Sequence, residues 1–190
     1  MEGEQGSPFL WSVGFKSPFW ERFAMFVSVV IPTYNRLPIL EKCLRALESQ
    51  NLHGALDGFE VVVVDDGSTD RTVQWLQQRG EQFPHVRLIE QEHGGPAEGR
   101  NRGVHQANGD VIVFIDSDLV VTETFLASHA RALERAWEQR GNRLAFTYGA
   151  VVNTANFEHP TKERHKIRDL SWAYFATGNV AIDRSVLEAS

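Results

Sequence analysis

The sequence predicts an α/β fold in which helices cover a mostly parallel central sheet. Three apolar runs, at residues 27–31, 61–64 and 111–115, are continuous rather than alternating, as in strands that are buried on both faces. Each run ends in a cluster of polar, turn-forming residues, and helical patterns separate the runs. Because strands and helices alternate, we expect βαβ units with right-handed crossovers.

The helices and the later strands follow in order along the chain. A second helix is predicted to begin near Thr72, a third to span 97–106, and a fourth to begin near Thr122. A strand-like stretch at 146–152 and a strand end with a helix start at 182–188 complete the pattern. The first helix follows the first strand, and its apolar residues keep the spacing of one helix face. That face is formed by Leu37, Leu40, Leu44 and Leu47.

Two carboxylates follow the third apolar run. Asp116 and Asp118 are separated by Ser117 and come directly after the strand predicted at 111–115. In open α/β sheets, ligands bind beyond the carboxyl ends of the strands, so both acids are expected at a binding site. Two acids at this spacing can bind one hard cation, and oxygen ligands suit Mg²⁺ or Mn²⁺. The alternative is a turn with a helix cap.

Four motifs resemble those of the family 2 glycosyltransferases, in the same order. They are VSVVIPTYNR at 27–36, VVDDGSTD at 63–70, GGPAEGRNRG at 94–103 and DSD at 116–118. The resemblance implies a GT-A fold, a three-layer α/β/α arrangement with a mostly parallel sheet that is C-terminally incomplete here. It also implies inverting, metal-assisted transfer of a sugar from a nucleotide diphosphate donor to a hydroxyl acceptor. The acceptors of similar enzymes are carbohydrates, lipids or proteins, and cell-envelope polysaccharide synthesis is one implied role.

The resemblance also implies the residues of the donor site. Asp66 accepts a hydrogen bond from the nucleotide base, which an imide N–H of uracil or thymine or the N–H groups of guanine would supply. Asp118, together with Asp116, binds the metal, Mg²⁺ or Mn²⁺. The nucleotide sugar is bound by Pro32, Thr33, Tyr34, Asn35, Asp66, Arg100, Asp116 and Ser117.

Each of these assignments has a purely structural alternative. Asn35 would cap the first helix, and the Asp65-Asp66 segment would be a turn in which Ser68 or Thr69 caps the second helix. Arg100 would pair with Glu98 or with an aspartate at a strand end. Glu98 and Gly99 occupy positions that small helix formers usually fill in the family, and the glycine weakens the predicted helix.

The general base of the reaction has no candidate in this sequence. The resemblance implies an Asp or Glu in a segment that follows the stretch ending in Gly178 and Asn179. Asp183 and Glu188 are the only acids after Asn179, and neither is assigned as catalytic. We therefore expect the base beyond Ser190, with residues 25–190 as the donor-binding part of a GT-A domain. The alternative function is a non-catalytic donor-binding fragment.

The composition of the chain limits the kinds of partner and chemistry that it can have. The single Cys43 lies on the predicted first helix and is expected to be a buried small residue. A net charge of -6 argues against nucleic acid as a partner, and the seven histidines form no metal pattern. Residues 1–24 form an aromatic extension without the apolar run of about 20 residues that a membrane span needs. We expect this extension to be disordered; the alternatives are that it packs on the domain or associates peripherally with a membrane. We expect the protein to be cytoplasmic, with a position at the inner face of the membrane as the alternative.

Overall fold

The structure is a computed structural model, and it describes residues 25–153 and 178–188. One six-stranded sheet forms the centre of these residues. Its strands are β1 (Phe26–Thr33), β2 (Gly58–Asp65), β3 (Val86–Glu90), β4 (Val111–Ile115), β5 (Phe146–Tyr148) and β6 (Asn179–Asp183).

The strand order across the sheet is β3-β2-β1-β4-β6-β5. The pairs of β1 with β2, β1 with β4 and β2 with β3 are parallel, whereas β6 is antiparallel to β4 and to β5. The predicted α/β fold with a mostly parallel sheet is thus confirmed. Because β1 lies between β2 and β4, the carboxyl ends of these three strands meet at one edge.

Helices cover both faces of the sheet. They are α1 (Leu37–Glu48), α2 (Thr72–Gln78), α3 (Pro96–Gln106), α4 (Phe125–Arg140) and α5 (Arg184–Glu188). One core cluster lies under α1, α2 and α4, and a smaller cluster lies under α3 and α5, so the predicted three-layer arrangement is confirmed. A short 3-10 helix, Gly80–Gln82, follows α2.

The apolar face of α1 packs as its spacing predicts. Leu40, Leu44 and Leu47 are completely buried, and Leu37 at the first turn is partly exposed. The alternative in which Asn35 caps this helix is wrong, because Arg36 occupies the N-cap position and no side chain caps the helix. Asn35 has a φ of 53°, a left-handed conformation that asparagine tolerates better than most residues.

The helix α3 lies unusually close to the sheet. A Cβ on Gly103 would lie 2.3 Å from Val30 Cγ1, and one on Gly99 would lie 3.1 Å from Pro32 Cβ. Two glycines four residues apart therefore allow the helix backbone to approach β1. This contact explains why Gly99 stands where helix propensity alone favours another residue, and it fixes the position of Arg100 between the two glycines.

Some expectations concern residues that the structure does not describe. The extension at 1–24 lies entirely outside the described residues, which begin at Met25, so its expected disorder and the domain start at 25 stay predictions. Among 25–153 and 178–188, no helix has both the length and the apolar character that a membrane crossing requires. The predicted strand end and helix start at 182–188 are confirmed by β6 and α5.

Candidate functional site

A cleft of about 520 Å³ opens at the carboxyl ends of β1, β2 and β4. Every predicted binding residue except Asn35 lines it, and three residues that the sequence interpretation did not assign, Arg36, His93 and Pro96, line it as well. The full lining consists of Pro32, Thr33, Tyr34, Arg36, Asp66, His93, Pro96, Arg100, Asp116, Ser117 and Asp118.

Asn35 joins the two loops that border the cleft. Its side-chain Oδ1 accepts hydrogen bonds from the backbone N–H groups of Thr69 at 2.7 Å and Asp70 at 3.1 Å. Its own backbone N–H donates to Ser68 Oγ at 2.9 Å. Asn35 thus fixes the loop after β1 against the loop after β2 and does not itself line the cleft.

The turn after β2 separates the roles of its two aspartates. Asp65 is 2% exposed, and its Oδ2 accepts from the Ser68 backbone N–H at 2.8 Å, as the turn interpretation predicted. The alternative in which Ser68 or Thr69 caps α2 is wrong. Asp70 Oδ1 instead accepts from the Thr72 N–H at 2.9 Å, and Arg71 occupies the N-cap position without a side-chain cap.

Asp66 holds the loop between β3 and α3. It is 3% exposed, and Oδ1 accepts from Gln91 Nε2 at 2.7 Å and from the Gly94 N–H at 2.9 Å. Oδ2 accepts from the Gly95 N–H at 2.9 Å and lies 2.9 Å from His93 Nδ1. Burial raises the pKa of this carboxyl, but these hydrogen bonds outweigh burial and lower the pKa below its ordinary value.

Each carboxylate after β4 forms an ion pair with an arginine. Arg100 Nη2 donates to Asp116 Oδ1 at 2.6 Å, which is the strand-end pairing that the sequence allowed for Arg100. Arg36 Nη1 donates to Asp118 Oδ2 at 2.8 Å. The side chains of Asp116 and Asp118 are 46% and 44% exposed, so both groups remain accessible from the cleft.

Asp116 and Asp118 could together hold a divalent cation whose remaining ligands are oxygens of a diphosphate. Each arginine pair uses one oxygen, so Asp116 Oδ2 and Asp118 Oδ1 lie outside these pairs. Among the described residues, no group of three or more His, Cys, Asp or Glu side chains could hold a metal ion by itself. Mg²⁺ in proteins commonly has one or two carboxylate ligands, with phosphate oxygens and water as the others. The two carboxylates therefore suit a cation that the protein and a diphosphate bind together, rather than one that the protein binds alone.

Tyr34 and His93 form an aromatic pair at the other side of the cleft. Their ring centroids are 4.4 Å apart at an interplanar angle of 33°, and Tyr34 is 41% exposed. The sequence interpretation missed His93 because an isolated histidine carries no pattern. The available signal was the position of each residue, because His93 directly precedes the third motif and Arg36 is the last residue of the first motif.

The two acids that follow Asn179 lie away from the cleft. Asp183 pairs across the sheet with Val111, at the amino end of β4, whereas Asp116 follows the carboxyl end of that strand. Asp183 Oδ2 lies 2.6 Å from Arg143 Nε, and Glu188 Oε1 accepts from Arg184 Nε at 2.9 Å. Both acids therefore have structural partners at a distance from the candidate site.

Comparison with known sequences shows related glycosyltransferases. The chain is 36% identical over 92 residues to the uncharacterized glycosyltransferase YibD of Escherichia coli (strain K12), a match that covers 48% of this chain and 26% of YibD. It is 36% identical over 111 residues to the poly(ribitol-phosphate) beta-N-acetylglucosaminyltransferase TarS of Staphylococcus aureus (strain Mu50 / ATCC 700699), covering 58% of this chain and 19% of TarS. The matched region thus spans only a minor part of these relatives.

Solved structures of glycosyltransferases have the same GT-A fold. The mannosyltransferase PcManGT from Pyrobaculum calidifontis, in complex with GDP-Man and Mn²⁺, superposes with a TM-score of 0.63 at 24% identity, over 88% of this chain and 47% of that one. S. aureus TarS 1-349 in complex with UDP-GlcNAc gives 0.60 at 26% identity, over 87% and 47%. The sequence model described as Glycosyl transferase family 2 matches residues 28–190. The chain therefore belongs to glycosyl transferase family 2.

Proposed function

We propose that the chain binds a nucleoside diphosphate sugar together with Mg²⁺ or Mn²⁺, as the donor-binding part of an inverting glycosyltransferase. The observation that carries this proposal is the convergence of four charged side chains in one cleft. Two carboxylates, Asp116 and Asp118, and two guanidinium groups, Arg36 and Arg100, line it at the carboxyl ends of parallel strands. Carboxylates suit a hard cation and guanidinium groups suit phosphate, so the cleft matches both parts of such a donor.

The nucleotide base is placed beside Tyr34 and Asp66. The exposed Tyr34 ring offers a face on which a base can stack. The Asp66 carboxylate borders the same side of the cleft and only accepts hydrogen bonds, so a base N–H would join or displace the donors that it already has. The relatives TarS and PcManGT have structures with UDP-GlcNAc and GDP-Man, which supports a pyrimidine or a guanine base without selecting one.

The diphosphate is placed between the arginines and the carboxylates. Arg100 lies on the first turns of α3, where backbone N–H groups also favour an anion. Asp118 and Asp116 would hold the cation, which when bound would offset the negative charge that develops on the departing nucleoside diphosphate. Departure of this group is the part of the transfer that the described residues can assist.

The general base is placed outside the described residues. An inverting transfer needs a carboxylate that removes the proton of the acceptor hydroxyl. The engagement of Asp183 and Glu188 away from the cleft supports this placement. It equally favours the second candidate, donor binding without transfer by this chain alone. The acceptor is a carbohydrate, lipid or protein hydroxyl, and the name of TarS, a poly(ribitol-phosphate) glycosyltransferase, supports a hydroxyl-bearing polymer as one such acceptor.

Calorimetric titration tests the donor site. UDP, GDP and dTDP are titrated into the chain with and without Mn²⁺, and into the Asp118→Asn variant. We expect one nucleotide to bind with a dependence on Mn²⁺, and the variant to bind it at least about tenfold more weakly in Mn²⁺ because a cation ligand is lost. Glu138→Gln, which removes the same charge from an exposed position on α4, is the control and should bind like the wild type.

The proposal fails if none of the three nucleotides binds to the folded chain. It also fails in its metal part if one nucleotide binds equally with and without Mn²⁺. Incubation of a nucleotide sugar of the binding class with the chain, followed by detection of the released diphosphate, separates the two candidate functions. Release that depends on an added acceptor indicates transfer, and its absence with intact binding indicates a donor-binding fragment.

A further inference from the structure

We propose that Arg36 is a diphosphate-binding residue of the donor site, and that metal and diphosphate enter the cleft by exchange of ion-pair partners. The guanidinium groups of Arg36 and Arg100 leave Asp118 and Asp116 for the diphosphate while the carboxylates turn to the cation. This inference deepens the proposed function and rests on it.

Three separate parts of the fold contribute to the two ion pairs. Arg36 follows β1, Arg100 lies on α3, and Asp116 and Asp118 follow β4. The contacts are direct, at 2.8 Å from Arg36 Nη1 to Asp118 Oδ2 and at 2.6 Å from Arg100 Nη2 to Asp116 Oδ1. All four side chains line the same cleft, so a ligand in it meets both pairs at once.

The charges of the four groups match those of the ligands. Arginine stays protonated in proteins, so each pair without ligand is neutral. The diphosphate of a nucleotide sugar carries two negative charges, and Mg²⁺ or Mn²⁺ carries two positive ones. After the exchange, two guanidinium groups face the diphosphate and two carboxylates face the cation. Each of these four charged side chains therefore has an opposite partner before and after binding.

Little free energy is needed to separate the ion pair of Arg36 and Asp118. Its side chains are 52% and 44% exposed, and pairs this exposed contribute little to stability because water screens them. A guanidinium group binds phosphate through paired donors, which is a stronger contact than one bond to an exposed carboxylate. The phosphate is thus the better partner for Arg36, and the cation is the better partner for Asp118.

Arg100 also has an unused hydrogen-bond donor. Its Nε–H is buried and has no acceptor among the residues that the structure describes. A buried donor without a partner is unfavourable, so the present arrangement of Arg100 is not its best one. Reorientation of the guanidinium group toward a diphosphate would give this side chain a second arrangement in which more of its donors are used.

The exchange predicts opposite effects of removing Arg36. Without a nucleotide, Arg36 competes with the cation for Asp118, so its loss should strengthen binding of the cation alone. With a nucleotide, Arg36 contacts the diphosphate, so its loss should weaken nucleotide binding. A residue that only supports the local structure would weaken both. The exchange also couples the two ligands, because each removes the competitor of the other.

The test measures both affinities on the full 190-residue chain. Mn²⁺ alone is titrated and its free fraction is followed by electron paramagnetic resonance, and the binding nucleoside diphosphate is titrated by calorimetry in Mn²⁺. For Arg36→Gln we expect Mn²⁺ alone to bind up to about fivefold more tightly and the nucleotide about tenfold more weakly. Arg36→Lys, which keeps the charge, should restore most of the wild-type values.

Arg45→Gln is the matched control. Arg45 forms an exposed ion pair with Glu41 on α1, and its side chain is 53% exposed, close to the 52% of Arg36. This variant should keep both wild-type affinities. The exchange is refuted if Arg36→Gln behaves like Arg45→Gln, or if Arg36→Gln weakens Mn²⁺ and nucleotide together. If the wild type binds no nucleoside diphosphate, the proposed function itself fails, and the exchange fails with it.

Discussion

At the scale of single residues, Asp66 connects the structure of the cleft to its chemistry. It is almost completely buried, yet both of its oxygens accept hydrogen bonds from the loop between β3 and α3. The loop brings His93 against Tyr34 and starts the helix that carries Arg100. The ionised form of Asp66 therefore determines the position of side chains that border the cleft.

We predict that Asp66→Asn destabilises the fold by about 1–3 kcal/mol at neutral pH, because the amide cannot accept hydrogen bonds at both positions. Folding lowers the pKa of Asp66, so its ionisation stabilises the native state. This stabilisation is complete above the ordinary value of 3.8 and disappears as the pH falls through the lower folded-state value. The difference between wild type and variant should thus shrink in acid.

Urea unfolding of both proteins between pH 7 and pH 3 measures this difference. Glu92→Gln removes a charge from an exposed side chain in the same loop and serves as the control, with an expected effect within about 0.5 kcal/mol. An Asp66→Asn protein as stable as the wild type at pH 7 would show that the loop does not depend on this carboxylate.

At the scale of the element, α3 shows how a locally weak helix can be required by packing. Gly99 and Gly103 lower helix propensity, but a Cβ on Gly103 would overlap Val30, and one on Gly99 would lie unusually close to Pro32. Val30, which Gly103 contacts, belongs to the buried cluster on this face of the sheet. The close packing holds the helix over the sheet edge, and Arg100 is placed beside Asp116 as a result.

We predict that Gly103→Ala destabilises the protein and weakens nucleotide binding. Overpacking against Val30 costs about 1–3 kcal/mol, which outweighs the gain of up to about 1 kcal/mol in helix propensity. The nucleotide affinity should fall because the helix that moves carries Arg100. Urea unfolding and calorimetric titration measure the two effects.

Gly80→Ala is the control for this change. A Cβ on Gly80 has no atom within 4 Å, so the substitution should change stability by no more than about 1 kcal/mol in either direction. If Gly103→Ala is as stable as Gly80→Ala and binds nucleotide normally, the close approach of α3 to the sheet does not position Arg100.

At the scale of the whole molecule, one side of the sheet holds most of the core. The larger buried cluster joins α1, α2 and α4 to this face, and Cys43 is completely buried in it. On α4, His129 Nδ1 lies 2.7 Å from Thr147 Oγ1, and its Nε2 lies 2.9 Å from Asn179 Oδ1. These hydrogen bonds connect α4 to β5 and β6. The packing of Cys43 therefore reports on the integrity of the central core.

Burial, with smaller contributions from Asp118 and Asp116, raises the pKa of Cys43 to about 12. Because the thiolate is the reactive form, we predict that Cys43 resists a thiol reagent such as DTNB at pH 8 in the native protein and reacts fully in urea. Labelling should be slower with bound nucleotide and Mn²⁺, since ligands that bind the native state reduce unfolding.

The Gly103→Ala variant should label faster than the wild type if labelling follows unfolding. Cys43 is the single cysteine of the chain, so the absorbance change reports one site. Rapid labelling of the native wild type would contradict the buried position of this thiol.

The sequence predicted the main elements because their signals are local. Continuous apolar runs identified β1, β2 and β4, and the leucine spacing identified α1. The carboxyl ends of parallel strands share an edge, so the acids after β4 were expected near the residues after β1 and β2. The cap at Asn35 was wrong because its side chain bonds Thr69 and Asp70, which are distant in the sequence.

Local patterns are sufficient to predict the family, the order of the elements and the strand ends that carry polar residues, because periodicity and ordered motifs are properties of neighbouring residues. Which charged side chains meet depends instead on the three-dimensional arrangement of the strands. Arg36 and Asp118 are 82 positions apart, and they pair because the order β2-β1-β4 places the loop after β1 beside the loop after β4. The same long-range geometry placed His93 against Tyr34 and moved Asp183 to the opposite end of the sheet. Contacts of this kind depend on how strands are ordered in space, which local patterns do not encode.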